Sequence, residues 1–299
     1  MKVLMTGSTG YLGGKLVNLL VHEGHDVHCL VRPSSHAEGL LVLPSGPQLW
    51  VHDGRVKRML DIVGQVKPDQ VIHMASMQSY EHEPEDIDQL CQSNMQLGLQ
   101  LAEAAASCGC ERFINTASYW EFGDVLGDGV PISLYASLKR AFRETLNFYQ
   151  VYKGLDVVNL VLYDTYGPGD MRGKIISHLT NALKTGLRVG LSPGEQRLYL
   201  THVDDVCQAY LHALGPVDCL SGSCFSVCPE APVSLREVVA CLEKVSGREV
   251  PVVWGRNPYA ERQIMEPVHF ERLAGWQTQI SLTEGLAELI SSEDFQRGN

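Results

Sequence analysis

The sequence of 299 residues has no uninterrupted apolar stretch of about 18 residues, so we expect no membrane-spanning helix. It also has no excess of positive charge: 24 Lys and Arg against 35 Asp and Glu give a net charge of −11. This charge argues against nucleic acid or an anionic membrane as a partner, although a local pocket can still bind a phosphorylated ligand. The apolar run after Met1 is too short for the core of a signal peptide, and we expect a cytoplasmic protein.

The nine cysteines show no metal-binding pattern. The sequence has no CxxC pair, and Cys219, Cys224 and Cys228 have no neighbouring histidines that would complete a ligand set. We therefore expect buried or incidental thiols and no metal site. A hydrophobic content of 44% and a charged content of 20% are ordinary for a globular protein, which argues against extended disorder.

Short apolar runs alternate with segments of helical spacing along the chain. Residues 2–5 have the pattern of a short buried strand, a glycine turn follows, residues 13–23 have helical spacing, and residues 27–31 form a second, mainly apolar run. Strand, glycine turn, helix and strand make a βαβ unit. Because the strands are apolar throughout and alternate with helices, we predict an α/β fold with a Rossmann-type doubly wound parallel sheet.

The alternation continues beyond this unit. We predict strands at residues 70–74, 112–115, 156–162 and 200–203, and helices at 94–106, 135–152, 175–184, 206–214 and 235–245. The pattern becomes irregular after residue 169, where turn residues are frequent. We therefore predict an NADP-binding domain of residues 1–165, to which residues 198–228 return, and a smaller C-terminal substrate-binding lobe of residues 166–197 and 229–299.

Three glycines lie at the first strand–helix junction. A dinucleotide site there needs a tight turn, a close approach of pyrophosphate to the backbone, and close packing of helix on strand, all of which glycine permits because it lacks a Cβ. The amides at the helix N-terminus then face the phosphates. The residues of this segment predicted to contact the cofactor are Gly7, Thr9, Gly10, Tyr11, Leu12 and Gly13.

No acidic residue follows the second predicted strand. An NAD site usually has Asp or Glu there to bind the ribose hydroxyls, and that carboxylate would repel a 2′-phosphate. This chain has Arg32 and Ser34 instead, which could pair with and donate to a 2′-phosphate. We therefore predict NADP(H) rather than NAD(H), with a solvated surface arginine as the alternative. Asp53 is a candidate adenine contact, or only a turn residue.

Tyr135 and Lys139 are four residues apart and therefore share one face of a predicted helix. An isolated tyrosine titrates near pH 10, and a lysine one turn away favours the phenolate, so we expect Lys139 to lower the pKa of Tyr135. Ser118 ends a predicted strand 17 residues earlier, at the sheet edge where open α/β sheets bind ligands. We predict that Ser118, Tyr135 and Lys139 are catalytic.

Together these motifs resemble those of the extended short-chain dehydrogenases/reductases, the nucleotide-sugar epimerases, dehydratases and reductases. The resemblance covers nearly the whole chain and rests on residues 6–13, 73–76, Asn94, Ser118, Tyr135, Lys139, 166–168, 201–205, 275–276 and 284–285. Residues 115–120, 162–170 and 191–196 are similar to those of the bacterial nucleotide-sugar 4-ketoreductases within this family.

The resemblance implies roles for several residues. Tyr135 would exchange a proton with the substrate oxygen, Lys139 would hold the nicotinamide ribose, and Ser118 would hydrogen-bond the reacting carbonyl. Asn94 would support the same region, or would only cap its helix. The resemblance also places Met74, Ala75 and Ser76 at the cofactor, and Met77, Tyr119 and Trp120 at the substrate. For the two aromatic residues, core packing is the alternative.

Two departures from the family pattern concern the substrate. Many relatives have an arginine for the substrate diphosphate where this chain has Leu198, and Arg197 stands one place earlier. Lys174, Arg172, Arg256 and Arg262 are the alternative candidates, each of which would otherwise be a surface charge. Asp164 replaces an asparagine of many relatives, and a carboxylate that only accepts hydrogen bonds suits a sugar hydroxyl better than a phosphate.

The residues after Ser118 bear on the reaction. Dehydratases of the family have an Asp-Glu pair there, whereas this chain has Tyr119 and Trp120, with Glu121 one position late. We therefore expect NADPH-dependent reduction of a 4-keto-6-deoxy nucleotide sugar to the alcohol, with a nucleotide-diphosphate sugar as partner. The alternatives are a nucleotide-sugar 4-epimerase with tightly bound NAD and a non-catalytic NADP(H)-sensing protein. Homodimerisation, common in the family, would use residues 97–106 and 141–152.

Overall fold

The computed structural model describes residues 1–37, 40, 46–216 and 223–292. In chain order its strands are β1 Lys2–Thr6, β2 Asp26–Val31, β3 Gln48–Val51, β4 Gln70–His73, β5 Arg112–Ser118, β6 Asp156–Leu162, β7 Asp164–Tyr166, β8 Val189–Gly190, β9 Arg197–Leu198, β10 Leu200–His202, β11 Cys224–Val227, β12 Val233–Ser234 and β13 Val252–Val253. Its α-helices are α1 Tyr11–His22, α2 Val56–Val66, α3 Ile87–Cys91, α4 Leu97–Ser107, α5 Leu134–Lys153, α6 Ile175–Thr185, α7 Val203–Ala213, α8 Leu235–Ser246 and α9 Leu282–Ser291.

Seven of these strands form a central sheet in the order β11-β6-β5-β4-β1-β2-β3, and every neighbouring pair is parallel. The chain runs outward from β1 to β3 on one side and from β4 to β6 on the other. The strand order therefore reverses between β1 and β4, where Thr6 is paired with His73. Ligands of open α/β sheets bind outside the carboxyl ends of the strands at such a reversal. The predicted doubly wound fold is confirmed.

Both faces of the sheet are buried, as the continuously apolar strands predict. Because side chains alternate across a strand, Val3 and Met5 of β1 face α1 and α7, whereas Leu4 faces the core formed with α2, α4 and α5. A further apolar cluster joins α6, α8 and α9, with Leu179 and Leu242 fully buried. Within the described residues no helix combines the length and apolar composition that crossing a bilayer requires.

Of residues 198–228, the described residues 198–216 and 223–228 contribute to the central sheet and to the short ladders outside it. Strand β11 pairs with β6 at the edge of the central sheet, and α7 packs beside α1. Strand β10 instead pairs with β7, and the short ladders β9–β12 and β8–β13 lie in the C-terminal part of the chain. The division into two lobes at the predicted boundaries stays a prediction.

The structure corrects two helix boundaries and adds elements that the sequence analysis did not predict. The helix predicted from Asn94 begins earlier: α3 continues through a π-helical turn, Gln92–Gln96, into α4. Helix α7 begins at Val203, because the His202 side chain accepts a hydrogen bond from the Asp204 amide and caps it. Strand β3 and helices α2 and α9 were not predicted. Cys219 lies outside the described residues.

Candidate active site

A continuous cleft follows the carboxyl ends of β1, β2, β4, β5 and β6. It consists of an outer, a middle and an inner cavity of about 580, 340 and 290 Å³. The outer and middle cavities share Arg32 and His52, and the middle and inner cavities share Gly7, Gly10 and Met74. The cleft is therefore elongated and crosses the point where the strand order reverses.

The glycine turn after β1 leaves room for a dinucleotide. Gly7 has φ +77°, and a Cβ there would lie 2.8 Å from the Ala75 backbone nitrogen. A Cβ on Gly13 would lie 2.0 Å from the Gly7 carbonyl oxygen, so only glycine allows this helix to pack against the turn. At Gly10 a Cβ would meet only the Gly7 carbonyl oxygen, at 3.4 Å, and would otherwise point into open space. Since the first amides of α1 have no partner within the helix, the turn fits a pyrophosphate.

Residues beyond β2 and β3 form the far end of the cleft. Arg32 lines the outer and middle cavities, and Ser34 and Asp53 line the outer one. Arg32 is exposed, and no ion pair involves it among the residues that the structure describes. Asp53 Oδ1 accepts a hydrogen bond from the Arg55 amide at 3.0 Å, so the turn role is present, and the carboxylate still lies at the cavity. His52, which the sequence analysis missed, is buried beside them.

Ser118 and Tyr135 meet in the inner cavity. Ser118 is the last residue of β5 and begins a short 3₁₀ turn, where its hydroxyl accepts a hydrogen bond from the Trp120 amide at 3.3 Å. The Ser133 side chain caps α5 and places Tyr135 in the first turn of that helix. The phenol of Tyr135 lines the same cavity as the side chains of Ser118 and Ser76, and their hydroxyls act to lower its pKa. The structure therefore brings together the two hydroxyl groups that the sequence analysis predicted to be catalytic.

Lys139 lies one turn beyond Tyr135 and is buried. Its ammonium donates a hydrogen bond to the Thr116 carbonyl of β5. Burial lowers the pKa of Lys139, and the nearby Glu121 carboxylate raises it. The lysine is thus held against β5, on the same helix face as Tyr135, and unlike Tyr135 it is not among the residues that line the inner cavity.

The expected lowering of the Tyr135 pKa is wrong for this structure. Burial of the phenol raises the pKa of Tyr135 to about 12, the charge of Glu121 raises it further, and only the hydrogen bonds from Ser118 and Ser76 lower it. The ammonium of Lys139 is engaged by a backbone carbonyl, so the desolvation of the phenol dominates. Tyr135 is therefore protonated at neutral pH.

The opposite wall of the inner cavity carries the predicted substrate residues. Tyr119 donates a hydrogen bond to Asp164 Oδ2 at 3.2 Å, and Lys174 donates one to Gln78 Oε1 at 3.2 Å. Lys174 also lies 5.7 Å from the ring centre of Trp120. All five residues line the cavity. Burial raises the pKa of the Asp164 carboxyl, and the charge of Lys174 opposes this. This wall presents an acceptor, a cation and two aromatic rings.

The structure places other predicted residues outside the cleft lining. Arg197 donates to the Pro232 carbonyl at 2.6 Å and lies 3.7 Å from Glu237, so it is not among the residues of the three cavities. Arg256 and Arg262 do not line them either. Arg172 does, but it pairs with Asp170 at 2.7 Å. These placements leave Lys174 as the cleft cation nearest the aromatic wall.

Asn94 does not cap a helix, and its side chain instead bonds the backbone of a residue that lines the cleft. Its Oδ1 accepts from the Met77 amide and its Nδ2 donates to the Met77 carbonyl, both at 3.1 Å. Met77 lines the middle cavity, so Asn94 holds the loop that follows β4. Thr6 has a similar role, since its hydroxyl accepts from the Met74 and Ala75 amides at 3.1 Å.

The sequence analysis did not recognise Glu121 and Arg143 as part of the site. Glu121 is fully buried, accepts from the Ser118 amide at 2.8 Å, and is paired with Arg143 at 3.0 Å. It is not among the residues that line the inner cavity. The sequence did contain a signal for Arg143: it follows Tyr135 and Lys139 at the same four-residue spacing and therefore shares their face of α5.

Comparisons with known proteins agree with this geometry. The model of the NAD dependent epimerase/dehydratase family matches residues 3–227. The CDP-abequose synthase of Yersinia pseudotuberculosis is 27% identical over 272 residues, which cover 89% of this chain and 92% of that protein. The UDP-glucose 4-epimerase of Mycolicibacterium smegmatis is 26% identical over 310 residues, with 97% of each chain covered.

Solved structures share the fold over the whole chain. The UDP-glucose 4-epimerase of Thermotoga maritima, solved with UDP-glucose, superimposes with a TM-score of 0.85, at 22% identity and 99% coverage of both chains. The UDP-glucose 4-epimerase of Thermus thermophilus, solved with NAD, gives a TM-score of 0.81 at 24% identity, covering 100% of this chain and 99% of that one. Since the family match spans well over half of its length, the chain belongs to the NAD dependent epimerase/dehydratase family of extended short-chain dehydrogenases/reductases, a family of NAD(P)-dependent enzymes.

Proposed function

We propose that the protein reduces a 4-keto-6-deoxy nucleotide sugar to the alcohol with NADPH, and that Tyr135 supplies the proton. The observation that carries this proposal is that Ser118 and Tyr135 line one cavity, which also includes the glycine turn. A phenol with a pKa near 12 is protonated at neutral pH, and a reduction needs a proton donor. The likeness to CDP-abequose synthase supports the same reaction class.

In this proposal the residues of the inner cavity act on the substrate ketone. The nicotinamide, when bound, supplies the hydride. Ser118 donates a hydrogen bond to the ketone oxygen and orients it, and Tyr135 transfers its proton to that oxygen as negative charge develops. Lys139 supplies a positive charge one helix turn from Tyr135, which stabilises the tyrosinate left behind.

The substrate would lie against the wall formed by Tyr119, Trp120, Asp164 and Lys174. Asp164 accepts a hydrogen bond from a sugar hydroxyl, and the aromatic rings cover the apolar edge of a 6-deoxy sugar. Lys174 is the proposed contact of the diphosphate, because Arg197 lies outside the cleft and Arg172 is paired with Asp170.

Dehydration is disfavoured by the position of Glu121. A dehydratase needs an acid and a base that reach the substrate, and Glu121 is buried against Arg143 behind Ser118. A 4-epimerase is the second candidate function, favoured by the epimerase relatives that cover nearly the whole chain. A non-catalytic NADP(H) sensor is the third, but it would not need Ser118 and Tyr135 in one cavity with Lys139 one helix turn away.

Isothermal titration tests the proposal. The purified protein is titrated with NADPH and with NADH, alone and together with CDP, UDP, GDP or dTDP. We expect preferential NADPH binding that one of the nucleotides strengthens, which also identifies the carrier half of the substrate. Tight binding of NADH or NAD, or cofactor that co-purifies with the protein, would favour the epimerase instead.

Arg32 is proposed to select NADPH through its 2′-phosphate. We expect Arg32→Ala to weaken NADPH binding roughly 10- to 100-fold, because a charge-assisted hydrogen bond contributes about 1.5–3 kcal/mol, and to leave NADH binding unchanged. Both affinities are measured by titrating the protein with each cofactor and following the fluorescence of the dihydronicotinamide. Arg58→Ala is the matched control, since Arg58 donates to the Val51 carbonyl. Equal losses for NADPH and NADH would contradict the assignment.

We also propose a homodimer formed through α5 and a cytoplasmic location. Phe148, Val151 and Tyr152 of α5 are 50%, 59% and 75% exposed, and such an apolar strip is typical of a protein interface. Sedimentation velocity of the native protein tests the dimer, and a monomer at micromolar concentration would contradict it. The net charge of −11 supports the expectation of no nucleic-acid partner and no membrane partner.

A further inference from the structure

A buried carboxylate lies behind the proposed catalytic residues, between two cations of α5. Glu121 has no exposed surface, and Lys139 and Arg143 are 3% and 7% exposed. Tyr135, Lys139 and Arg143 follow one another at four-residue steps, so they share one face of the helix. Glu121 is paired with Arg143 at 3.0 Å, and its charge also acts on Lys139 and Tyr135, so these groups are electrostatically coupled.

The two oxygens of Glu121 have different partners. Oε1 accepts a hydrogen bond from the Ser118 amide at 2.8 Å, which closes the turn that begins at Ser118. Oε2 accepts one from Arg143 Nε at 3.0 Å. Arg143 also pairs with the exposed carboxylate of Glu144 at 3.0 Å. Glu121 thus connects the backbone of Ser118 to the helix that carries Tyr135.

Stability alone does not require such a pair. Removing two charges from water costs several kcal/mol per ion, and apolar residues of similar volume often replace a buried ion pair without loss of stability. Glu121 and Arg143 nevertheless lie next to the residues that would do the chemistry, and away from the cavity itself.

We infer that Glu121, held by Arg143, is a positioning residue: it fixes the backbone of Ser118 and places a negative charge on the side of α5 that carries Tyr135 and Lys139. The expected effect on kcat rests on the proposed function. The expected effect on the charges of Lys139 and Tyr135 does not depend on which reaction the protein catalyses. The proposed function gives the Glu121 carboxylate no role in the reaction. The inference assigns it one.

The charges around the cluster determine the sign of the effect. Burial lowers the pKa of Lys139 and raises that of Tyr135, and the carboxylate of Glu121 raises both. Burial also raises the pKa of Glu121 itself, and Lys139, the Ser118 amide and Arg143 oppose this. The ion pair with Arg143 at 3.0 Å is the geometry of a carboxylate. The other titratable groups facing the cluster are His73, whose pKa burial lowers to about 3, Cys224 and Glu144.

Glu121→Gln removes the charge and keeps an oxygen that can accept from the Ser118 amide. Without the carboxylate, Lys139 and Tyr135 both lose their protons at lower pH. A reduction needs both protons, so its rate falls on the alkaline side of the pH profile. We expect this alkaline limb to move to lower pH by about one unit, the size of shift that a charge within a few ångströms causes.

The experiment compares the native protein with Glu121→Gln and with Glu144→Gln. Glu144→Gln is the matched control, because it removes an exposed carboxylate that pairs with the same arginine, Arg143. Two readouts are recorded against pH: kcat for the reductive reaction, and NADPH affinity from dihydronicotinamide fluorescence, which needs no turnover. We expect both alkaline limbs to shift in Glu121→Gln and neither to shift in Glu144→Gln.

A second set of variants covers the case in which Glu121→Gln does not fold. The double variant Glu121→Leu with Arg143→Leu replaces the pair by apolar side chains, and Arg143→Lys keeps the cation. We expect the double variant to remain folded by circular dichroism, to lose kcat at least 10-fold and to show the shifted binding limb. Arg143→Lys should keep the native pH profile.

The outcomes separate the two proposals. If the native protein turns over a nucleotide sugar and the Glu121 variants keep its pH limbs, the positioning role is overturned and the proposed function stands. If the native protein binds NADPH without turnover, the proposed reaction is wrong, and a shifted binding limb in Glu121→Gln would still support the role of the carboxylate.

Discussion

Tyr135→Phe is expected to lower kcat by roughly 10²- to 10⁴-fold, the range that a positioned proton donor contributes. The hydroxyl is the only group removed, and in this structure it lies in the same cavity as Ser118 and Ser76 and is protonated at neutral pH. The ring still fills its place beside Trp120, whose ring centre is 6.0 Å away. Cofactor affinity should therefore stay unchanged, because the ring is kept and the backbone of the glycine turn is not altered. Steady-state kinetics with the nucleotide sugar found by titration, together with NADPH titration, measures both.

Tyr149→Phe is the control for this prediction. Tyr149 lies on the same helix, is buried, and uses its hydroxyl on Glu103 outside the cleft. The same chemical change there should leave kcat unaltered. Turnover by Tyr135→Phe above a tenth of the native rate would remove Tyr135 from the role of proton donor, and a large loss in Tyr149→Phe would point to general damage of α5.

Gly13→Ala is expected to abolish measurable cofactor binding and to destabilise the fold. The new Cβ would lie 2.0 Å from the Gly7 carbonyl oxygen and 2.7 Å from the Gly7 carbonyl carbon. Both are backbone atoms, so the helix must move away from the turn. Overpacking of this kind costs about 1–3 kcal/mol or more of the free energy of unfolding. Urea denaturation and NADPH titration measure the two effects.

Gly14→Ala is the matched control, one residue further along α1. A Cβ at Gly14 would lie 3.6 Å from the Ser8 carbonyl oxygen, an ordinary contact. Alanine in a helix is favoured over glycine by up to about 1 kcal/mol, so this variant should be as stable as the native protein or more so. Native-like cofactor affinity in Gly13→Ala would show that the turn does not hold the pyrophosphate.

The first βαβ unit could be predicted from the sequence because its signals are local. The apolar run of β1, the three glycines and the helical spacing of α1 all lie within about twenty residues, and their order allows one fold class. Helix α2 was equally readable and was missed. Its buried residues Met59, Ile62, Val63 and Val66 recur at helical spacing.

The proposed catalytic residues were also recognisable from the sequence. A four-residue step places Tyr135 and Lys139 on one helix face, and a strand end places Ser118 at the edge of the sheet where ligands bind. Spacing specifies which side chains can meet. It does not specify how buried they become, and for that reason the expected pKa of Tyr135 was wrong.

Only the tertiary structure decided the surroundings of these residues. Glu121 and Arg143 are 22 residues apart, and Asn94 and Met77 are 17 apart, so no local pattern indicates that they pair. Arg197 lies outside the cleft lining and donates a hydrogen bond to the carbonyl of Pro232, 35 residues away in the chain. Hydrogen bonds of this kind form where distant segments pack together and exclude water. The sequence by itself therefore determined the βαβ framework and the proposed proton-transfer residues, and the packing of distant segments decided their charge environment and the lining of the cleft.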